Sequence, residues 1–436
     1  MFSPAVELRE VLAGEQSDVR RALELLGQIL VGAASPQNTA DAFLAKHFGT
    51  PAVELVKETR NLSAVEHTTV GLVLGDLIAE YGPILGPDQW DDPPRWGSVD
   101  VGDETLSPPA DMTLFFAPGR FCPSPIAVRI VDRTTCGGSS ELMVFVRPED
   151  RAYANSTLRA ISDRARGERN LFRGRVLNVS CVNGMTVELR ESPKDDRSNV
   201  IVSQEIWDEI DIGIASVTSQ RDTMKRLGLG VRRGILLVGP PGVGKSAISK
   251  VVARELVGEF TVMFVDSHAG ARVLSDVYKE ANRFGPAVVI LEDLDLYLEN
   301  RRSSSGQRTT LAEFLSAMDA HVDSPILTIA STNEVTTLDG AAIRSARFDS
   351  IIEIGYPTRV VLAEIMDTYL ADIPGGGSID AARVCNDLPQ NSTGADVREI
   401  VRRTVLANDG TVSTEALRVT VSGGRFKPEL PVGTYL

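Results

Sequence analysis

Cysteine, histidine and long apolar runs are all scarce in this chain, and each shortage removes a class of protein. Only four cysteines occur in 436 residues (Cys122, Cys136, Cys181 and Cys385), and they are scattered without metal-ligand spacing. Reduced thiols in a cytoplasmic protein are the plain expectation, and a disulfide between distant residues stays open. His47 and His67 have no second ligand at metal-site spacing, so they read as surface or half-buried residues. No stretch has the unbroken apolar length of a membrane span; the nearest, Val70 to Leu85, is interrupted by Asp76 and Glu80. The first residues show no basic region followed by an apolar run, so no secretion signal is expected and cytoplasm is the default. Basic charge is short too. A net charge of −14 argues against a general polyanion-binding surface, though a small basic groove or pore is compatible with it.

What remains is a chain long enough for two or three domains with real cores, and 43% apolar residues is ordinary for a globular protein. Residues 1–85 read as a small helical bundle. Ser17 is a candidate N-cap, Ala22, Leu25, Leu26, Ile29 and Leu30 recur at helical spacing, and Thr50-Pro51 repeats a helix-start signal. Residues 86–110 are rich in proline, glycine and aspartate and read as a linker. Residues 111–204 change character. Met112–Phe116, Ile126–Val131 and Leu142–Val146 read as strands, and Ser156 to Arg166 as a helix. Val176–Val182 and Met185–Leu189 flank Asn183-Gly184, a hairpin signal. This mixed α/β or mainly β domain reads equally as an adaptor- or substrate-binding platform and as a spacer. Residues 205–357 alternate strands with helices, as a doubly wound parallel sheet does. Residues 358–422 look helical, and 423–436 read as an exposed tail.

Within that α/β region, Gly239-Pro240-Pro241-Gly242-Val243-Gly244-Lys245-Ser246 lies between an apolar strand run, Ile235 to Val238, and a helical run beginning near Ala247. Glycines let a backbone curl around phosphate oxygens, and the helix N-terminus behind them offers N–H groups to negative charge. Lys245 can reach the outer phosphates and Ser246 can place its hydroxyl on magnesium. The pattern points to a nucleoside triphosphate.

A second strand run, Val288 to Leu291, ends in Glu292-Asp293-Leu294-Asp295, which presents carboxylates where ligands bind in open α/β sheets. By position Glu292 is the metal-side group, and Asp293 is the candidate base that polarises the attacking water. A third run, Ile326 to Ala330, leads to Ser331-Thr332-Asn333. The Asn333 amide would lie between the two motifs and orient that water, with Thr332 a weaker candidate.

The segment Leu338-Asp339-Gly340-Ala341-Ala342-Ile343-Arg344-Ser345-Ala346-Arg347-Phe348-Asp349 completes a set that resembles the AAA family of ATPases within the AAA+ class. The family pattern is Leu-Asp-Pro-Ala-Leu-Leu-Arg-Pro-Gly-Arg-Phe-Asp; both arginines match, and Gly340, Ser345 and Ala346 depart. The resemblance spans residues 205–415 and implies the doubly wound sheet of a P-loop NTPase with a C-terminal helical lid. It implies ATP with Mg2+ as ligands, and a homo-oligomer, a ring of six. Arg347 and Arg344 become fingers that reach the γ-phosphate of the neighbouring subunit, worth ~10³–10⁵ in rate. It also implies that Asp211-Ile212-Gly213 lines the adenine and that Gly394-Ala395-Asp396 opens a lid helix against the nucleotide.

Departures sharpen the resemblance. Glu292-Asp293 inverts the commoner Asp-Glu order and is similar to the mitochondrial branch that translocates the folded Rieske protein, as are Thr309 to Asp319 and Ile351 to Pro357. That branch carries an N-terminal membrane anchor; none is read here, so its function is not transferred. Threading unfoldases place an aromatic residue in the first pore loop, where this chain has Asp266-Ser267-His268-Ala269-Gly270. The second loop carries Arg301, Arg302 and Arg308, a solvated loop or a basic ring. The ending Gly433-Thr434-Tyr435-Leu436 resembles the docking tails of proteasome-activating ATPases. The expected function is an ATP-hydrolysing ring that remodels, unfolds or disassembles a protein substrate or complex recruited through residues 1–200. A nucleic-acid motor or loader, and a nucleotide-gated scaffold with slow turnover, are the alternatives.

Overall fold

The computed structural model describes residues 39–101, 104–133, 140–167, 169–180, 185–266, 270–294, 324–333 and 348–427. The chain divides into two compact units at Arg169/Asn170.

The first unit is built on an antiparallel sheet flanked by helices. Its elements are α1 (Ala40–Phe48), β1 (Val56–Leu62), α2 (Ala64–Tyr81), β2 (Ile84–Gly86), β3 (Arg95–Trp96), β4 (Val99–Val101), β5 (Glu104–Leu106), β6 (Pro109–Phe116), β7 (Ile126–Val131), β8 (Ser140–Val146) and α3 (Arg151–Arg166). Strand order is β1-β8-β7-β6-β2, with β3 also paired to β6. Side chains alternate across a strand, so β6 sends Met112, Leu114 and Phe116 to one face and Phe115 to the other. The first face packs against Val70, Val73, Leu74 and Leu77 of α2 and Leu158 and Ile161 of α3. The second packs against Phe43, Leu44 and Phe48 of α1. Both faces are covered, which is why β6 and β7 are buried along their whole length. A capping box between Ser63 and Glu66 starts α2. No helix among the described residues is long and apolar enough to cross a membrane.

Two expectations change here, and a third is not reached. The Thr50-Pro51 signal opens only the short turn Ala52–Glu54, and the chain then enters β1 in register with β8, Val56 opposite Val146. Alternating burial along β1 supplies the sheet with an edge that the polar run Lys57–Asn61 did not advertise. The stretch expected as a linker, 86–110, holds β3 and the β4–β5 hairpin. The Ser17 to Leu30 helix lies outside the described residues.

The second unit holds β9 (Val176–Ser180), β10 (Thr186–Arg190), α4 (Gln204–Val217), α5 (Arg221–Arg226), β11 (Arg233–Val238), α6 (Lys245–Leu256), β12 (Thr261–Val265), α7 (Gly270–Phe284), β13 (Ala287–Leu291), β14 (Ile326–Thr332) and β15 (Ser350–Glu353). Four further helices follow, α8 (Arg359–Leu370), α9 (Ala381–Asn386), α10 (Gly394–Ala407) and α11 (Thr414–Ser422). The seven strands run β10-β9-β12-β13-β14-β11-β15 and are parallel except for β10 on β9. Strands β11 to β14 are near-continuous apolar runs because helices cover both faces. The β9–β10 hairpin, expected beside the strands of 111–166, instead extends this sheet. Val176, Leu177 and Val179 bury against β12 in parallel register. Helices α8 to α11 enclose a separate core that includes Leu362, Met366, Val384, Ile400 and Leu417.

Candidate nucleotide site

The sheet order reverses around β11. The chain leaves β11 through α6 towards β12 on one side, while β15 closes the other side. The crevice at the C-terminal ends of the strands there is where a doubly wound sheet binds ligands. Residues 239–244 turn from β11 into α6, and Gly244, at φ +108°, sits at the helix N-cap with no side-chain cap. A glycine N-cap has no side chain to occupy the helix start, so the N-terminus of α6 opens on the crevice.

Lys245, the first residue of α6, is buried. Its Nζ donates to the carbonyls of Gly239 at 2.7 Å and Pro240 at 2.9 Å, and to Asn333 Oδ1 at 2.8 Å. Asn333 Nδ2 in turn donates to Asp293 Oδ1 at 3.1 Å. The three sequence motifs thus converge in one chain of hydrogen bonds, Lys245–Asn333–Asp293. The Asp293 N–H donates to Ser331 Oγ at 3.2 Å, and Asp293 holds φ at +53°, a conformation that re-aims its side chain as the strand ends. Thr332 ends β14 fully buried, and its carbonyl accepts from the Gly239 N–H at 3.3 Å, so its position is structural.

A cleft of about 550 Å³ opens beside this chain, within the range of small-ligand sites. Pro241, Gly242, Val243, Gly244, Lys245, Ser246 and Ala247 line it, together with Asp293 and Asn333. The lid supplies Ile365, Thr368 and Tyr369 from α8, and Gly394, Ala395 and Arg398 from α10. Thr393 and Asp396 form a capping box at the start of α10, and the Ala395 N–H donates to the Gly242 carbonyl at 3.2 Å. The lid thereby touches the phosphate loop directly.

Donor chemistry fits magnesium. Ser246 is exposed to the cleft, and Glu292 Oε1 is a buried oxygen with no hydrogen-bond partner among the described residues. A hydroxyl and one carboxylate suit a hard cation that completes its shell with phosphate and water. Among the described residues no group of three or more His, Cys, Asp or Glu could form an all-protein metal cage.

Five of the described residues predicted for the site are not among those lining the cleft: Gly239 and Pro240, whose carbonyls accept from Lys245, Glu292, and Ile212 and Gly213. Ile212 is 64% exposed and Gly213 is packed against the Ile235 side chain, both on α4. Trp207, Ile210, Gly213 and Val217 recur at helical spacing and face the core, so this segment serves packing. The wall it was expected to form comes from Asp195 and Asn199–Val202, just upstream. The signal for it was the apolar triplet Val200-Ile201-Val202 before Ser203, the N-cap of α4. Arg344, Arg347, His268, Arg301, Arg302, Arg308, Tyr435 and Leu436 lie outside the described residues.

A family model described as "ATPase family associated with various cellular activities (AAA)" matches residues 235–356, from β11 to the end of the large sheet. An ATP-dependent zinc metalloprotease FtsH from Lancefieldella parvula is 31% identical over 238 residues, which cover 49% of this chain and 36% of that protein. An FtsH from Cupriavidus metallidurans is 30% identical over 196 residues, 42% of this chain and 30% of the relative. A proteasome-activating nucleotidase from Saccharolobus islandicus is 28% identical over 230 residues, 49% of this chain and 58% of the relative. The chain spans between 30% and 58% of the length of these relatives.

Proposed function

We propose that this chain, whose residues 235–356 match the AAA ATPase family model, hydrolyses ATP at interfaces between identical subunits and uses the energy to remodel a protein substrate. The observation that carries the reading is the hydrogen-bonded chain Lys245–Asn333–Asp293 at the switch point of the sheet. Lys245 and the N-terminal N–H groups of α6 stabilise phosphate charge. Ser246 and Glu292 would hold magnesium, which would supply positive charge to offset that of the phosphates. Asp293 accepts the proton of the attacking water, and Asn333, already bonded to Asp293, fixes the direction of attack. The Asn333–Asp293 pair is in place before the reaction begins, whereas Lys245 must exchange one of its present acceptors for phosphate.

The protein-substrate part is supported by the relatives, whose names join ATP to proteolysis and to proteasome activation. The ring part rests on Arg344 and Arg347, which by resemblance serve a neighbour's site; six subunits is the family's number. Residues 1–200 are the proposed recruiting surface, and Tyr435-Leu436 a docking tail for a protease.

One experiment tests the shared site. Asp293→Asn subunits are mixed with Arg347→Ala subunits and ATPase activity is followed. Arg347→Ala alone should bind ATP but turn over roughly 10³-fold more slowly. Mixed rings should recover activity at interfaces that pair an intact Asp293 with an intact Arg347. Full-speed hydrolysis by an isolated Arg347→Ala monomer would defeat the interface reading.

A further inference from the structure

The part of the cleft wall formed by residues 195–202 has no regular secondary structure, so something outside it must fix its place. Residues 194–202 run between β10 and α4. Asp195, Asn199 and Val200–Val202 face the cleft. Asp196 and Arg197 are not among the residues lining the cleft and bond instead to α6 and α4. The segment's internal bonds set its shape: Ser198 N–H donates to Asp196 Oδ1 at 2.9 Å, and Asp196 N–H donates to Asn199 Oδ1 at 3.0 Å. They do not say where the turn sits relative to the phosphate loop.

Two arginines do. Arg197 Nε donates to Glu255 Oε1 at 2.6 Å and its Nη2 to Glu255 Oε2 at 2.9 Å, a bidentate pair with the last turn of α6. The same guanidinium donates through Nη1 to Asp211 Oδ2 at 2.8 Å and through Nη2 to Asp211 Oδ1 at 2.5 Å, on α4. Its face covers the Trp207 ring at 4.7 Å. In the reverse direction, Arg254 of α6 donates to the Lys194 carbonyl at 2.6 Å and to Asp196 Oδ2 at 3.0 Å. The two ion pairs cross, each element giving one arginine and one carboxylate. Helix α6 therefore carries Lys245 at its first residue and Glu255, the anchor of the 195–202 wall, in its last turn, about 15 Å away along one rigid rod.

We propose that Arg197 is a positioning residue for nucleotide affinity, holding the 195–202 wall at a fixed distance from the phosphate-binding turn of α6. The inference rests on the nucleotide reading above and deepens it. A wall already in place need not be ordered when the ligand arrives, and that saved ordering appears as affinity. The gain is confined to the part of the ligand beyond the phosphates, because Arg197 touches none of the loop 239–246. A planar guanidinium serves two carboxylates and a ring at once, and an ammonium cannot.

The test compares ATP with inorganic tripolyphosphate, which carries the phosphates alone, as ligands of the full chain with magnesium. Arg197→Ala should weaken ATP binding by about tenfold or more, while tripolyphosphate binding changes by less than about twofold. Arg197→Lys should fall between wild type and Arg197→Ala. If Arg197→Ala does not fold, Glu255→Gln removes one arm of the clamp and should give the same split, smaller in size. Equal losses for the two ligands, or no loss for ATP, overturns the positioning role. A wild-type chain that binds neither ligand overturns the nucleotide reading itself.

Discussion

Replacing Gly242 by alanine should loosen the lid from the phosphate loop, and the structure sets the size of the effect. Gly242 holds φ at +83°, which an alanine adopts at a cost of about 1–2 kcal/mol. A Cβ built there lies 2.8 Å from Thr393 Oγ1 and 2.9 Å from Ala395 Cβ. Neither contact is tolerable, and both neighbours belong to the first turn of α10 and its cap. Moving Thr393 threatens the cap bond it accepts from the Asp396 N–H at 3.3 Å, and moving Ala395 threatens its bond to the Gly242 carbonyl. Crowding of this kind costs about 1–3 kcal/mol, so the whole penalty is about 2–5 kcal/mol. The assay is urea unfolding of Gly242→Ala, Ala395→Gly and the double variant, with ATP affinity measured alongside. Ala395→Gly alone loses up to ~1 kcal/mol of helix propensity. In the double variant it also removes one of the two clashes, so the pair should couple favourably by about 1 kcal/mol. Strict additivity would show that the Ala395 methyl contributes nothing to the penalty of Gly242→Ala and that this contact has been wrongly invoked.

Asn333→Ala removes an acceptor from Lys245 and a donor from Asp293 together, so kcat for ATP should fall about 10²-fold. Steady-state hydrolysis reads it, and turnover at the wild-type rate would remove Asn333 from the mechanism. In the first unit, burial and then the neighbouring Asp88 carboxylate raise the pKa of Asp111 from 3.8 to about 6, with Arg95 only partly offsetting them. Between those values the folded chain holds a proton that the unfolded chain has released. The stability from this group is thus complete at low pH and is lost as pH rises through about 6. Asp111→Asn has no such loss. Its stability relative to wild type should therefore improve between pH 5 and pH 8 by about 1–2 kcal/mol in urea unfolding. A flat or falling difference contradicts the assignment.

What was legible in the sequence was whatever chemistry ties to fixed residue types at fixed spacing. Lys245, Asp293 and Asn333 each follow a strand run, and the structure brings all three into one hydrogen-bonded chain. What was illegible depended on partners far along the chain. Val176–Val179 reads as half of a hairpin, and it is; that it also pairs with β12 is settled by Val262–Val265, more than eighty residues away. Strand β1 was lost in a helical-looking region because its pairing with β8 crosses a similar gap. The Ile212-Gly213 expectation failed differently. A short motif borrowed from a family was set against a helical apolar period running through Trp207, Ile210 and Val217, and the period won. Burying a Trp and two aliphatic side chains at ~1.5–3 kcal/mol each outweighs a local preference of a few tenths. The cleft wall then fell to the residues left over between β10 and α4. Such a segment has no packing period of its own, and its place is set by Arg197 reaching across to Glu255 of α6 and by Arg254 of α6 reaching back to Asp196, contacts that charge alone does not reveal.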